Sequence, residues 1–449
     1  MNQLQTGFAR VEITPPLGVS INGYFIPRKA ETILDPLEAN CIAFRCGTDR
    51  VLLVSIDNLG ISQKIMLPLR EAVAQALGLC TEAVLIHATH SHTAAAVSPG
   101  AKEEKNLQYR DFLREKLIQG AKEAFSDCKN AKMGWAVGTA PRVAFVRRFR
   151  MKDGSVRTNP GTNHPEIDGP LGEVDERVNV LRFDREGGET LILMNFGNHP
   201  DTVGGCRISA DWPGFARRSV EQALPGTKAV LFNGAQGDVN HINVWPKGGD
   251  GNGLVRDFDD VDRGYAHSEH IGRVLAGAVL QVYGKVCYTS VDRIRFGEKT
   301  VRVPSNRPTA DQLPLARTYA ELHRQGRDEE IPFTGMQLTT AVARSLRILR
   351  LENGPDYFNV PMSALALGNV VWVGIAGEPF TGIGRALKEA KGWDLVCPIC
   401  CTNGYEGYFP MKSAYEEGGY EAGSSNFKEG VAELLIREGL DLISSLRSE

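Results

Sequence analysis

The stretch Val84-Leu-Ile-His87-Ala-Thr-His90-Ser-His92-Thr brings three histidines within six residues, a third of the nine in the chain. Val84, Leu85 and Ile86 read as a buried strand, and residues 93–100 read as the loop after it. Side chains alternate along a strand, so His90 and His92 are expected to point the same way. Two imidazoles on one side of a strand end are a natural start to a zinc or iron site. They serve equally as hydrogen-bonded polar groups, so the remaining ligands have to come from elsewhere. Two further apolar runs supply them. Leu191-Ile-Leu-Met-Asn-Phe-Gly-Asn-His199-Pro ends on a histidine, and Gly368-Asn-Val-Val-Trp-Val-Gly-Ile-Ala-Gly-Glu378-Pro ends on an acid. Strand ends gather at one edge of an α/β sheet, where sites form. Histidine, histidine and carboxylate with an open position is the ligand set of a hydrolytic zinc site.

The rest of the chain has to hold these ends together. Residues 39–57 read as a hairpin whose second strand ends on Asp57, and residues 229–238 as a strand running into a Gly-rich loop with Asp238. Helical spacing appears at 62–78, 106–127, 262–284, 311–326, 382–391 and 427–447, and a helix starts at Asp211 with Pro213 in its first turn. The predicted class is α/β, with mixed β-sheets flanked by α-helices. One domain is expected over 1–449, with a polar excursion at 287–350. Residues 246–258 are Gly/Asp-rich and read as mobile.

Composition narrows the function. The chain of 449 residues is 42% hydrophobic and 23% charged, with a formal net charge of −3, so nothing points to nucleic acid. No apolar run approaches a bilayer span, and no stable membrane insertion is expected. Nine cysteines, an odd number without disulfide-like spacing, fit a reducing compartment. With an N-terminus lacking the features of a secretory signal, the expected location is cytoplasmic. Cys397-Pro-Ile-Cys400-Cys401 contains a C-x-x-C, and buried thiols are expected there.

Taken together, the chain resembles the catalytic domain of the neutral/alkaline (non-lysosomal) ceramidase family. The resemblance is carried by His90-Ser-His92, Asn195-Phe-Gly-Asn-His199-Pro, Ser209-Ala-Asp211, Ala235-Gln-Gly-Asp238-Val-Asn, Gly377-Glu378-Pro-Phe-Thr-Gly and the Tyr408–Tyr420 segment, with Val11-Glu-Ile-Thr-Pro-Pro and Gly23-Tyr24 ahead of them. It implies a ceramidase-like fold and one zinc held by His90, His199, Glu378 and Tyr408. It implies His92 as the catalytic histidine, with Tyr420 and an arginine polarising the scissile carbonyl. That arginine falls in Val146-Arg147-Arg148, and Arg147 is favoured. Departures are Thr93-Ala-Ala-Ala where the family usually has Ser-Gly-Pro, and Val146 where it usually has Asn. The family's C-terminal immunoglobulin-like domain is not expected.

The expected activity is zinc-dependent hydrolysis of a linear amide, a small-molecule N-acyl amine. An ester or small-peptide zinc hydrolase, and a non-catalytic metal-containing binding protein, are the alternatives. Asp211, Asp57 and Asp238 are expected to orient histidines from behind. The tyrosine loop carries Glu406, Glu416, Glu417 and Glu421, which an anionic membrane would repel. That favours a more water-soluble N-acyl compound over ceramide.

Overall fold

Runs of β-branched and leucine residues leave neither face to water, so they become strands enclosed between layers. Val84–Ala88 is buried at every position, and so are residues 51–56. The computed structural model describes residues 3–246 and 263–448. The stretch 246–258, read from sequence as mobile, lies outside the described residues apart from Pro246.

Among the described residues, the larger sheet has nine strands: Gln5–Glu12 (β1), Glu38–Cys46 (β2), Asp49–Ile56 (β3), Val84–Ala88 (β4), Lys129–Thr139 (β5), Arg177–Arg185 (β6), Thr190–Phe196 (β7), Thr227–Asn233 (β8) and Cys287–Thr289 (β9). Their order is β8-β7-β6-β5-β1-β2-β3-β4, with β9 also on β5. The β3/β4 and β7/β8 pairs are parallel, and β1/β2, β2/β3, β5/β6 and β6/β7 are antiparallel. A smaller sheet runs Ile294–Pro304 (β10), Tyr357–Leu367 (β11), Val370–Ile375 (β12) and Leu395–Ile399 (β13), with β12 and β13 parallel.

The inner faces of the two sheets share one core, in which Phe44, Leu53, Phe183 and Phe232 meet Leu365, Trp372 and Cys397. Gln63–Leu77 (α1) and Glu104–Ser126 (α2) cover the outer face on the β1–β4 side, and Asp211–Ala223 (α3) and Tyr265–Val282 (α4) cover the other half. Leu313–Arg324 (α5) packs on Gly335–Glu352 (α6). Thr381–Lys388 (α7) and Val431–Ser448 (α9) close the outer face of the smaller sheet; the short Tyr420–Ser424 (α8) touches α6. Each helix expected from sequence is present within a few residues of its predicted span. Helix α6 was not anticipated. Residues 287–350 contribute β9 and β10 to the sheets and the α5–α6 pair beside them. Among the described residues no helix is long and apolar enough to cross a membrane.

The larger sheet curls until its edge strands meet. Ser55 Oγ on β3 donates to the Leu231 carbonyl on β8 at 2.7 Å, and the Asn233 N–H donates to His87 Nε2 at 3.0 Å. Burial pulls the His87 pKa down to about 4, so the ring is a neutral hydrogen-bonding bridge between sheet edges. Closure of the edges puts the C-terminal ends of β4, β7 and β8 side by side.

Candidate metal centre

Asn233, the last residue of β8, ties two loops together. Its side-chain N–H groups donate to the carbonyls of Thr89 and Asn198, both at 2.9 Å. Those residues immediately precede His90 and His199. The chain then turns sharply: His90 takes φ = 75°, a left-handed conformation uncommon for a residue with a side chain. Strand β4 ends at Ala88, so His90 and His92 lie beyond it, and their convergence does not come from strand alternation. It comes from the turn and from two anchors. His90 Nδ1 donates to the Leu59 carbonyl at 2.7 Å, and the buried Arg28 guanidinium donates to the His92 carbonyl at 2.8 Å. Gly23 backs the His92 ring with φ = 112°, and a Cβ there would come within 2.7 Å of Nδ1.

These constraints aim lone pairs at one point. His90 Nε2 lies 3.2 Å from Nε2 of both His199 and His92. Glu378 Oε2 lies 3.3 Å from His90 Nε2 and 3.5 Å from His199 Nε2. His90 carries its proton on Nδ1, so its Nε2 is an acceptor. Glu378 Oε2 is buried and has no hydrogen-bond donor. Acceptors packed this closely without a donor are what a cation site requires, and the histidine and carboxylate donors suit zinc. The three histidines meet the geometry of a metal-binding cluster.

Electrostatics agrees. Burial pushes the Glu378 carboxyl up, but His90, a hydrogen bond from Tyr405 and the Arg147 charge outweigh it and hold it at about 2. Tyr405 donates to Glu378 Oε1 at 2.7 Å, which fixes the carboxylate with Oε2 toward the histidines. Burial lowers His199 well below the usual histidine range and His92 to about 4, so both rings are neutral ligands or bases. His199 Nδ1 faces the Gln236 carbonyl at 3.3 Å.

A cavity of about 350 Å³ opens onto this cluster. His92, His199, Arg147, Tyr408 and Tyr420 line its inner part, and Phe25, Ile26, Met336, Leu338 and Val342 line apolar walls. The Tyr408 ring stacks against His199 with centroids 6.5 Å apart and meets Tyr420 edge-on at 5.7 Å. Burial drives the Tyr408 phenol well above its usual range. Arg147 lies over the Tyr408 ring at 5.3 Å, donates to the Gly237 carbonyl at 2.7 Å and pairs with Glu421 at 2.7 Å. Arg148 turns away from the cavity, pairing with Glu417 at 3.0 Å and lying over Phe380. Cys397, Cys400 and Cys401 are buried free thiols.

Several sequence expectations are corrected. None of Asp57, Asp211 and Asp238 touches a histidine. Asp57 is clamped by both terminal nitrogens of Arg217, at 2.9 and 2.6 Å. Arg217→Ala would leave that buried carboxylate unpaired and should cost about 3–5 kcal/mol of stability, read by denaturant unfolding. Asp211 accepts the N–H groups of Thr202, Val203 and Trp212, pinning the turn after His199. Asp238 accepts the N–H and hydroxyl of Thr381 at the start of α7, three residues after Glu378. Burial raises Asp211 and Asp238 to about 6 each. Nor do Glu417 and Glu421 face outward to repel a membrane: Glu417 pairs with Arg148, and Glu421 is fully buried against Arg147.

The acid beside a histidine is instead Asp201, 3.7 Å from His92 Nδ1. Burial raises its pKa, but His92, Arg263 and His241 bring it down to about 2. The Tyr24 hydroxyl also donates to Asp201. Asp201 and Tyr405 were not singled out from sequence. The signal for Asp201 was its place two residues after His199; Tyr405 had none beyond its aromatic loop.

No protein-family model matches this sequence, and no curated protein matches it. Solved ceramidase structures are among those that match its fold. The whole chain superposes on 75% of the neutral ceramidase from Pseudomonas aeruginosa, with a TM-score of 0.72 at 16% identity. It also superposes on 76% of a ceramidase complexed with C2, with a TM-score of 0.73 at 15% identity. Mixed sheets flanked by helices, closed edge to edge and superposing over their full length on these enzymes, make this a ceramidase-like fold.

Proposed function

We propose that this protein is a zinc-dependent hydrolase of a linear amide of the N-acyl amine type. The observation that carries the reading is the convergence of His90, His199 and the donorless Glu378 oxygen at the end of a cavity that also presents Arg147 and Tyr420. His90, His199, Glu378 and Tyr408 would hold the metal. A zinc ion held there supplies a water with a pKa of about 7 and polarises a carbonyl.

The chain's own residues do the rest. Neutral His92 takes the proton of the attacking water as its oxygen bonds to the carbonyl carbon. It returns that proton to the nitrogen as the C–N bond breaks, giving acid and amine. Tyr420 O–H and Arg147 N–H donate to the carbonyl oxygen as it gains charge. The Asp201 carboxylate, 3.7 Å from His92 Nδ1, stabilises the charge of the ring while it is protonated.

One distance favours a second reading. His92 Nε2 is as close to His90 Nε2 as that of His199 is, 3.2 Å in both cases. Three histidines would then hold the metal and Glu378 would serve as base.

Metal analysis by mass spectrometry, with hydrolysis of a panel of N-acyl amines, tests the proposal. Near-stoichiometric zinc is expected in the wild type, and its loss in His90→Ala and His199→Ala. Full zinc retention in both variants would sink the site.

A further inference from the structure

The catalytic cavity does not end at its apolar wall. It adjoins a second groove of about 470 Å³, and both are lined by Thr158 and Met336. The groove runs between the short strand Val156–Thr158 and the α5–α6 pair. Leu315, Tyr319, Phe333 and Ile348 give it apolar sides; Leu315 and Phe333 are 57% and 40% exposed, a cost that a bound chain would remove.

Its charged groups are what single it out. Arg157 and Arg344 both line the groove. Among the described residues neither forms an ion pair or side-chain hydrogen bond, although Arg157 acts at longer range on the exposed Asp153 and most described arginines are paired with a carboxylate or a carbonyl. The Arg157 Nε is buried without an acceptor. One carboxylate, Asp311, borders the groove and pairs with neither. Two guanidiniums against one carboxylate, set on an apolar wall, are complementary to an apolar chain that ends in an anion.

We propose that this outer groove is a substrate subsite for an anionic chain end. The preferred substrate is then an N-acyl amide whose longer arm is apolar and terminates in a carboxylate, or an anion of like geometry. The arm passes Met336, and the terminus sits between Arg157 and Arg344. The placement of the scissile bond rests on the amide-hydrolase reading; binding in the groove does not.

The test uses the full chain with its metal and three amides of identical apolar arm. These end in a carboxylate, in the neutral methyl ester of that carboxylate, and in a quaternary ammonium. For the wild type, kcat/KM should favour the carboxylate over the methyl ester by about tenfold or more, with the ammonium poorest. Arg157→Gln combined with Arg344→Gln should bring the carboxylate to about the level of the methyl ester and leave the methyl ester unchanged. About 1 M salt, where the Debye length is near 3 Å, should shrink the preference in the wild type only. Equal turnover of carboxylate and methyl ester by the wild type overturns the proposal, as does an arginine effect on both. Calorimetric binding of the carboxylate compound runs in parallel. If none of the amides is cleaved, the amide-hydrolase reading fails, and the arginine dependence of binding still decides the subsite. Binding to phosphatidylserine vesicles without binding to the soluble compound would assign the groove to a membrane surface and refute the substrate role.

Discussion

His92→Ala is expected to retain its metal and to lose amide hydrolysis by about 10²–10⁴-fold, the usual span for a lost general acid–base group. An amine is a poor leaving group until it is protonated, so the residue that shuttles the proton controls C–N cleavage. His92 is neutral, with a pKa brought to about 4 mainly by burial, and the Asp201 carboxylate lies 3.7 Å from its Nδ1. The same substitution separates the two readings of the centre. If His92 is a third ligand, zinc content falls with activity, and Glu378→Gln then keeps most of the metal while removing the base. If Glu378 is the ligand, Glu378→Gln loses both, because it removes the anionic member of the set. Activity falls in both variants under either reading, and zinc content measured side by side gives opposite patterns.

Arg147→Ala should lower kcat by about 10²–10³-fold, the effect of removing one donor to a developing oxyanion, while Arg148→Ala stays near wild type. The two neighbours are told apart by direction: Arg147 lines the cavity, whereas Arg148 pairs with Glu417 outside it. Stability complicates the comparison, because Glu421 is fully buried against Arg147. Losing Arg147 leaves Glu421 with the more distant Arg148, at 3.7 Å, and the Thr158 hydroxyl, and should cost up to about 3 kcal/mol. Adding Glu421→Gln to Arg147→Ala removes the under-compensated charge and should recover part of the stability, read by thermal unfolding, without restoring kcat. Recovery of activity in the double variant would mean that Arg147 acts only by neutralising Glu421.

The local parts of the site are legible along the chain. Apolar runs of strand length ending on His199 and Glu378 are legible because burial on both faces demands continuous hydrophobicity, and the strands ending at Phe196 and Ile375 follow. Amphipathic period placed the helices that cover the sheets. Helix α6 escaped because part of its apolar side lines cavity and groove instead of a core, which breaks the pattern. The family resemblance pointed to the same histidines, glutamate and tyrosines.

How those residues meet depends on contacts between distant parts of the folded chain. His90 and His92 converge through a left-handed residue and an imidazole held by Leu59, and local periodicity carries neither signal. Asn233 positions both histidine loops from 144 and 35 residues away in sequence. Asp57 was drawn to Arg217, 160 residues distant, and so was lost to the histidines. Periodicity reports which face of an element is buried; which polar group meets which depends on where distant strand ends are brought together. Here the closing of β4 onto β8 brings them together, a contact between the two edges of one sheet that no local pattern encodes.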